Sequence, residues 1–475
     1  MSDLRIAINR EAGTSLVDQI VNAIGRSIRE GQLYAGARLP SWNDLSAQLG
    51  VARGTVRAAY EQLIDEQLLV SRGSAGTFVT QHPPTTQAFD TQTVRRPLPE
   101  LFVQPFSEHP RVFQLGIPAQ DLFPHKLWSR MASQAAKQSV SRVVSYPDPR
   151  GEPALRAEIA AYLSVARGLN CTSQQIIITA GYSGALGLIT QALDLKGTTA
   201  WVEDPGYPVT KIALSLAGIQ RFAVSVDEEG LQVHQGIKAC PQARVAVVTP
   251  SQQAPLGMTL SLARRRELLE WAAANDRWII EDDYLSELQL SGRAAPALAS
   301  QDAHGRVIHV GTFSKTINPG LRLGFAVIPP QLVNHFGDVA ASLVPAASVF
   351  SQLMLSEFLR QGHYLRHLRK MKRAYRTRSR LLLQSLGAQV VSDSLAGLAL
   401  LLSLPEGCDD VAIASSALQL ELAPGPLSMW YDQPATAPRG LLLGITNISE
   451  RNIEHCCQPL TELIQAQLER QGLRA

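Results

Sequence analysis

The stretch from Val310 to Arg322 reads VGTFSKTINPGLR and places a lysine and an arginine directly after an apolar run. The run 307–310 predicts a strand, so Lys315 is expected in the loop at its carboxyl end. A lysine in a partly desolvated site can form a Schiff base with an aldehyde. The hydroxyl of Thr312 and the guanidinium of Arg322 suit a phosphate. The stretch therefore predicts a site for an aldehyde and a phosphate.

Apolar strand-like runs alternate with helical patterns on both sides of this stretch. The alternation predicts an α/β domain with a largely parallel sheet, in which ligands lie at the carboxyl ends of the strands. The candidate strands are 176–179, 199–202, 245–249, 278–281, 307–310 and 323–328, and a clear helical pattern covers 262–275.

Two further segments place polar groups at predicted strand ends. Asp282 and Tyr284 follow the strand 278–281, and Asp282 precedes Lys315 by 33 residues. An acid beside a pyridinium nitrogen keeps that nitrogen protonated, and a tyrosine can hydrogen-bond a phenolate oxygen. The turn 181–184 (GYSG) leads into a helical pattern and suits a phosphate. Each of these features alone is weak evidence for a ligand site. The site is predicted because the acid, the lysine and the small-residue turn all occur at predicted strand ends.

The first eighty residues are organised differently. The apolar periodicity over 16–31 predicts one helix, and Ser41 and Gly50 are suited to cap the two ends of a second. A third helix is expected to open near Arg53, and the segment 68–79 is typical of a hairpin. The pattern predicts a winged helix-turn-helix, although a small helical bundle with a hairpin that binds nothing also fits it.

The segment 10–80 closely resembles the GntR-type DNA-binding domain, through the runs 39–41, 45–63 and 76–78. In that family the segment at Arg53 and Thr55 starts the recognition helix in the major groove. The resemblance implies further backbone or minor-groove contacts from Arg38, Ser41, Arg57, Arg72 and Gly76. Residues 1–80 hold eight arginines and eight acidic residues, so this segment is formally neutral. We therefore expect salt-sensitive binding that needs two half-sites.

The stretch 113–468 resembles the pyridoxal-phosphate aminotransferases of fold type I. The matching pieces are 146–151, 203–208 (EDPGYP), 250–257 and Ser314-Lys315 with Arg322. The resemblance implies that Lys315 is the internal aldimine lysine, that Asp282 contacts the pyridine nitrogen and that Tyr284 contacts the phenolate. It implies further cofactor contacts from Tyr182, Ser183, Gly184, Tyr207, Gln253, Thr312 and Arg322, with Tyr146 reaching in from a partner subunit.

A GntR-type segment joined to an aminotransferase-like body is similar to the MocR family of bacterial transcriptional regulators, GabR type. The expected organisation is a DNA-binding domain at 1–80, a proline-rich linker at 81–110 and a pyridoxal-phosphate domain at 111–475 with a smaller C-terminal α+β subdomain. The resemblance implies a cytoplasmic head-to-tail homodimer that binds operator DNA, pyridoxal phosphate and a small-molecule effector. The alternative is an active aminotransferase that carries a DNA-binding module.

The chain departs from the family at the residues that grip a substrate carboxylate. Aminotransferases place an arginine in a Leu-Arg-Leu-Gly setting, where this chain has Leu442, and GABA-sensing members place one where this chain has Val209. Leucine and valine cannot make the paired hydrogen bonds of a guanidinium. We therefore expect that the protein does not bind the carboxylate of an ordinary α-amino acid or GABA, and that its signal is pyridoxal phosphate itself or an amine or sulfonate held by other residues.

Two other residues are candidates for the missing contacts. Arg439 could bind the carboxylate from a displaced position, although a surface arginine is the commoner case. Ala254 replaces an asparagine that is common in the family, so the hydrogen bond of that asparagine to the cofactor oxygen is expected either to come from Gln253 or to be lost.

Composition narrows the class of protein further. At 475 residues with 45% hydrophobic and 18% charged residues, the chain has material for two or three globular cores and is not wholly disordered. No window reads as a membrane span or a secretory leader, and the five cysteines show no metal-ligand spacing, so we expect reduced cytosolic thiols and no metal site. The formal net charge of +3 says little about partners.

One segment is strongly basic although the formal net charge of the whole chain is small. Residues 366–380 contain eight lysines or arginines and no acid. A solvated helix face with Leu365, Leu368 and Tyr375 as its apolar stripe explains the run, and a second DNA contact on the large domain is the functional alternative.

Overall fold

The structure is a computed structural model. It describes residues 6–10, 13–81, 109–141, 145–290, 292, 294–343, 348–386, 395–396, 398–470 and 472. Contacts divide the chain into two compact units, Met1–Arg95 and Arg96–Ala475. The predicted linker 81–110 lies almost entirely outside the described residues.

The N-terminal unit contains three helices and a two-stranded hairpin. Its elements are α1 Leu16–Arg29, α2 Trp42–Leu49, α3 Arg53–Asp65, β1 Leu69–Ser71 and β2 Thr77–Val79. Ser41 caps α2 by accepting a hydrogen bond from the backbone N–H of Asp44, and Gly50 ends the helix with φ +63°. Ile24, Leu45 and Val56 are fully buried between the helices. The unit is therefore a winged helix-turn-helix with the predicted caps.

The larger unit continues the chain with eleven helices and twelve strands among the residues that the structure describes. The helices are α4 His125–Val140, α5 Pro153–Arg167, α6 Gly181–Ala192, α7 Pro208–Leu216, α8 Val233–Ala239, α9 Leu262–Ala274, α10 Val333–Leu343, α11 Val349–Arg360, α12 His363–Leu386, α13 Asp410–Ala417 and α14 Ile453–Arg470. The strands are β3 Ile176–Thr179, β4 Thr199–Asp204, β5 Gln220–Asp227, β6 Gly230–Leu231, β7 Val245–Val248, β8 Trp278–Asp283, β9 Val307–Thr312, β10 Gly324–Val327, β11 Leu395–Ala396, β12 Ala399–Ser403, β13 Gly425–Pro426 and β14 Gly440–Gly444.

The main sheet has the strand order β3-β10-β9-β8-β7-β4-β5-β6. Its centre is parallel, because β9, β8, β7, β4 and β5 pair in the same direction, whereas β10 runs antiparallel to both of its neighbours. The edge strand β3 and the inner strands β7, β8 and β9 are buried at every residue, which explains their continuous apolar runs. The prediction of an α/β fold with a mainly parallel sheet is confirmed. The sequence patterns missed β5, which is half exposed and carries no such run.

A second, smaller sheet lies near the C-terminus of the unit. It is antiparallel with the order β11-β12-β14-β13, and Leu401 of β12 faces Leu442 of β14 across the ladder. The helices α13 and α14 pack in this region with the C-terminal part of α12. This arrangement is the expected smaller α+β subdomain.

The basic run lies on the long helix α12. The apolar stripe of this helix differs from the predicted one, because Leu365 is 45% exposed, whereas Tyr364 and Met371 are buried. Six basic side chains are exposed and have no acidic partner within ion-pair distance among the described residues: Arg366, Arg369, Lys370, Arg373, Arg376 and Arg380. Arg378 is instead 3% exposed and pairs with Asp121. A DNA contact of the exposed face stays a prediction.

None of the described helices is long and apolar enough to cross a membrane.

Candidate functional site

A cavity of about 330 Å³ lies at the carboxyl edge of the parallel strands and is lined by residues from both sheets of the larger unit. Strands β8 and β9 end beside it, and α6 begins there. Eight residues that the sequence analysis assigned to a cofactor line this cavity: Tyr182, Ser183, Tyr207, Asp282, Tyr284, Thr312, Lys315 and Arg322. The tertiary structure thus brings together residues that are spread over 140 positions, since 322 minus 182 is 140.

Lys315 lies in the loop between β9 and β10, and its Nζ donates a hydrogen bond to the carbonyl oxygen of Gly116 at 3.1 Å. Gly116 has φ +76°, and a Cβ at this position would lie 2.6 Å from Nζ. Burial lowers the pKa of Lys315, the carboxylate of Asp282 opposes this change, and Arg322 adds to it. A lowered pKa increases the fraction of neutral amine, which is the form that attacks a carbonyl carbon.

Asp282 is 6% exposed at the end of β8. Burial raises the pKa of Asp282 well above its ordinary value, and the charges of Asp283 and Glu203 raise it further, whereas Lys315 lowers it. A buried acid of this kind gives up its proton readily only when a positive charge stands beside it. A protonated pyridine nitrogen would supply that charge.

The two neighbours of Asp282 on β8, Glu281 and Asp283, belong to buried pairs of charged side chains. The Nε of Arg167 contacts Oδ2 of Asp283 at 2.7 Å, and the two side chains are 2% and 4% exposed. His309 on β9 contacts Glu281 at 3.0 Å between Nδ1 and Oε2. Arg167 therefore compensates a carboxylate directly next to Asp282 in the chain. The sequence analysis missed this arginine, which has no local motif and lies 116 residues from Asp283.

One end of the cavity has the donor chemistry of a phosphate site. Ser183 lies exposed in the first turn of α6, and Arg322 donates from Nη2 to the carbonyl oxygen of Ala180 at 2.9 Å, just before that turn. The hydroxyl of Thr312 accepts from the backbone N–H of Ser314 at 3.2 Å, and Ser314 also lines the cavity. Hydroxyls, a guanidinium and helix N–H groups fit a phosphate dianion. Ser314 was quoted in the sequence motif but given no role.

Three of the predicted cofactor residues do not line the cavity. Gly184 lies in the first turn of α6, against the side chain of Ala180. Tyr146 is fully exposed in this single chain, so its predicted contact from a partner subunit stays a prediction.

The prediction for Gln253 is corrected by the structure. Its Nε2 donates to the carbonyl oxygen of Pro205 at 2.7 Å, and its Oε1 accepts from the backbone N–H of Leu256 at 3.0 Å. The amide is thus used to hold two loops together, and the neighbouring Ala254 lines the cavity instead. Adjacent residues in an irregular loop point in different directions, which the sequence pattern does not reveal.

The wall contributed by the small sheet is apolar. Leu442, at the expected arginine position, is 1% exposed and lines the cavity, and Val209 lines it as well. Trp430, which the sequence analysis missed, belongs to the same wall. Arg439, the possible displaced anchor, does not line the cavity. Its Nη1 lies 3.5 Å from the buried carboxylate of Asp410.

In the N-terminal unit the outer face of α3 carries the predicted DNA contacts. Arg53 and Arg57 are exposed there, with the small residues Gly54 and Ala58 beside them. Arg57 donates from Nε to Glu61 at 2.8 Å and lies over the ring of Trp42, and Thr55 is partly buried in the first turn of the helix.

The remaining predicted DNA contacts lie in the loop before α2 and in the hairpin. Arg38 and Arg72 are exposed, and Arg72 lies over the ring of Phe78. Gly76 has φ +108°, and a Cβ there would lie 3.1 Å from Nε of Arg38. The hydroxyl of Ser41 is already engaged as the cap of α2. DNA binding by each of these residues stays a prediction.

Both units match known families of protein domains. Residues 113–420 match the family model for aminotransferases of class I and II, and residues 16–79 match that for bacterial regulatory proteins of the gntR family. The archaeal alanine:glyoxylate aminotransferase aligns with a TM-score of 0.70 at 25% identity, covering 76% of this chain and 92% of the enzyme. The class is therefore that of helix-turn-helix regulators with an aminotransferase-like domain.

Whole-length relatives identify the family. The probable rhizopine catabolism regulatory protein MocR of Rhizobium meliloti is 31% identical over 464 residues, which covers 94% of this chain and 93% of that protein. The transcriptional regulator TauR of Rhodobacter capsulatus is 32% identical over 86% of this chain and 89% of that protein. The pyridoxine biosynthesis regulator PdxR of Corynebacterium glutamicum is 32% identical, with 82% of both chains covered. The chain belongs to the MocR family of transcriptional regulators.

Proposed function

We propose that this transcriptional regulator holds pyridoxal phosphate in the cavity at Lys315 and uses it to sense a small molecule in the cytoplasm. The observation that carries the proposal is the convergence of Lys315, Asp282, Tyr284 and the Ser183–Arg322 end on one cavity. When bound, pyridoxal phosphate supplies an aldehyde that condenses with primary amines. Aminotransferase-like relatives of known structure support the cofactor assignment.

Each of these residues has a distinct proposed task. Lys315 offers its neutral amine to the aldehyde carbon, because burial lowers its pKa. Asp282 shares a proton with the pyridine nitrogen. Tyr284 keeps its phenolic proton, since burial and then the charge of Asp282 raise its pKa, and so it can donate a hydrogen bond to the phenolate oxygen. Ser183, Thr312 and Arg322 hold the phosphate.

The signal is proposed to be pyridoxal phosphate itself or an amine without an α-carboxylate. The names of the relatives connect one of them with rhizopine catabolism and another with pyridoxine biosynthesis, so members of this family serve different pathways. Turnover of ordinary amino acids is expected to be weak or absent, because Leu442 and Val209 offer a carboxylate no hydrogen bond.

An absorbance spectrum of the full chain tests the cofactor site. Addition of pyridoxal phosphate, followed by removal of the unbound cofactor, is expected to leave a near-ultraviolet to visible band that moves with the protein. Lys315→Ala is expected to abolish this band, whereas Lys196→Ala, at an exposed lysine outside the cavity, should leave it unchanged. Equal bands in all three proteins would contradict the assignment of Lys315.

The regulator is further proposed to bind operator DNA as a homodimer, so that two DNA-binding domains, each formally neutral, bind together.

Arg53→Ala is expected to weaken operator binding by about 10- to 100-fold for each DNA-binding domain and to relax sequence preference, because an arginine at the start of a recognition helix pairs with a guanine edge. Fluorescence anisotropy with an operator duplex measures this effect. The control Arg26→Ala removes an exposed charge from α1 and should have a much smaller effect. Equal losses for both variants would indicate binding by charge alone.

A further inference from the structure

We infer that the effector of this regulator is a primary amine with an uncharged, mainly apolar body, and that Leu442 and Val209 select it against amino acids. The inference rests on the proposed function, because it takes the cofactor to be held by Lys315. It narrows that function from amines in general, or pyridoxal phosphate alone, to one chemical class.

The first argument is the composition of the wall that an effector would meet. Leu442 belongs to a buried apolar cluster with Ala254, Leu427 and Trp430, and Tyr207 and Tyr284 pack against this cluster. Two of the three tyrosines that line the cavity therefore contact the apolar wall directly. Other apolar residues of the wall line the cavity as well: Leu115, Val209, Ala399, Leu418, Ala423, Pro424 and Pro426.

A second observation is that the wall is closely packed around Gly425. A Cβ on Gly425 would lie 2.6 Å from Cδ1 of Leu115 and 3.8 Å from Cβ of Leu442, so these side chains meet around a glycine. Leu442 is also paired directly across the ladder with Leu401 of β12. A larger side chain at position 425 would have to displace Leu115.

A third observation is that few charged side chains of the cavity are available to an effector. Among the described residues that line the cavity, the cationic side chains are Lys315 and Arg322. Arg322 lies at the phosphate end and Lys315 in the β9–β10 loop, so the apolar wall itself carries no cation for a carboxylate. A carboxylate placed against the wall would lose its hydration without a partner, which disfavours its binding.

The binding step requires no oxidant or reductant. The effector nitrogen would take the place of Lys315 Nζ on the aldehyde carbon of the cofactor: a C=N bond to the effector would form as the C=N bond to Nζ is lost, and the two hydrogens of the effector amine would end on Nζ. Lys315 is thereby released as a free amine. The body of the effector is then placed against the apolar wall.

Matched pairs that differ by one carboxylate provide the test. The probes are phenethylamine against L-phenylalanine, 3-methylbutylamine against L-leucine, and n-butylamine against GABA, each titrated into the cofactor-loaded full chain. Calorimetry gives the affinity, and anisotropy with operator DNA gives the regulatory response. We expect each amine to bind at least about 100-fold more tightly than its carboxylated partner, because the carboxylate loses water without gaining a cation. We also expect only the amines to change DNA affinity.

Variants of the wall identify the residues that make this choice. Leu442→Arg is expected to lower or reverse the preference, whereas the similarly sized Leu442→Met should preserve it. Should Leu442→Arg fail to fold, Val209→Arg introduces a cation at a second, partly exposed position of the cavity.

Each outcome bears on the inference. Equal binding of amines and amino acids to a protein that shows the cofactor band would overturn it and leave the proposed function standing. A change of DNA affinity with pyridoxal phosphate alone, and none with any amine, would overturn it as well. Absence of the cofactor band would refute the proposed function first, and the inference with it.

Discussion

Replacement of Arg167 with methionine is expected to lower the free energy of unfolding by about 3–5 kcal/mol, since it leaves a buried carboxylate without its partner. Arg167 contacts Asp283 at 2.7 Å, and it also donates to the hydroxyl of Ser251 and the carbonyl oxygen of Ala295, both at 2.5 Å. Methionine has a similar length but can make none of these bonds. Urea unfolding of the full chain, followed by tryptophan fluorescence, measures the loss.

Two controls separate this effect from a general loss of charge. Arg221→Met breaks a partly exposed pair with Asp432, whose side chains are 29% and 38% exposed, and should cost about 1 kcal/mol or less. Adding Asp283→Asn to Arg167→Met removes the stranded charge and should recover part of the loss. Equal stabilities of Arg167→Met and Arg221→Met would show that the buried pair does not stabilise the fold. Because Asp283 adjoins Asp282, the cofactor band of Arg167→Met should also weaken.

Replacement of Glu203 with glutamine is expected to stabilise the protein at pH 8 by up to roughly 3 kcal/mol and to have little effect near pH 4.5. Burial raises the pKa of Glu203 to about 7, although hydrogen bonds from Thr249 and Gln253 oppose this change. The folded protein therefore favours the protonated acid. Below the unfolded pKa of about 4.5 both states are protonated and the variant gains nothing. Between pH 4.5 and about 7 the unfolded chain ionises while the folded protein keeps its proton, so the stability of the wild-type protein falls relative to that of the glutamine variant, and above about pH 7 the difference levels off.

The same substitution has a consequence at the cofactor site. The charge of Glu203 contributes to the raised pKa of Asp282. Glutamine removes this charge, so Asp282 should ionise at lower pH, and the pH dependence of cofactor affinity should shift in the same direction. Unfolding curves at pH 4.5, 6 and 8 provide the first measurement. A difference between wild type and variant that is independent of pH would contradict the assignment of a proton to Glu203.

Most of the fold was predictable because it depends on local and periodic patterns. The strands β3, β7, β8 and β9 are buried on both faces, and such strands appear in the sequence as short apolar runs. The caps Ser41 and Gly50 mark the ends of α2 by local chemistry. The half-exposed β5 was missed because its side chains do not form a continuous apolar run. The sequence wrongly placed Leu365 on the buried face of α12. Helical periodicity allows two neighbouring faces, and only the packing shows that the buried face contains Tyr364 and Met371.

The residues of the candidate site also form two groups: those that the local sequence predicts and those whose contacts depend on tertiary packing. Lys315, Asp282 and Ser183 were predictable because each lies at the carboxyl end of a strand or shortly after it, and parallel strands bring their carboxyl ends to one edge. The amide direction of Gln253 depends on which loop atoms surround it, and no pattern along the chain encodes that. The sequence by itself determined the two-part architecture, the strand-end residues and the absence of arginine at 442 and 209. Only the tertiary structure decided that Leu442 and Val209 face the same cavity as Lys315, and that Arg167 and Glu203 govern the charge around Asp282. These relations are contacts between residues far apart in the chain, and packing alone creates them.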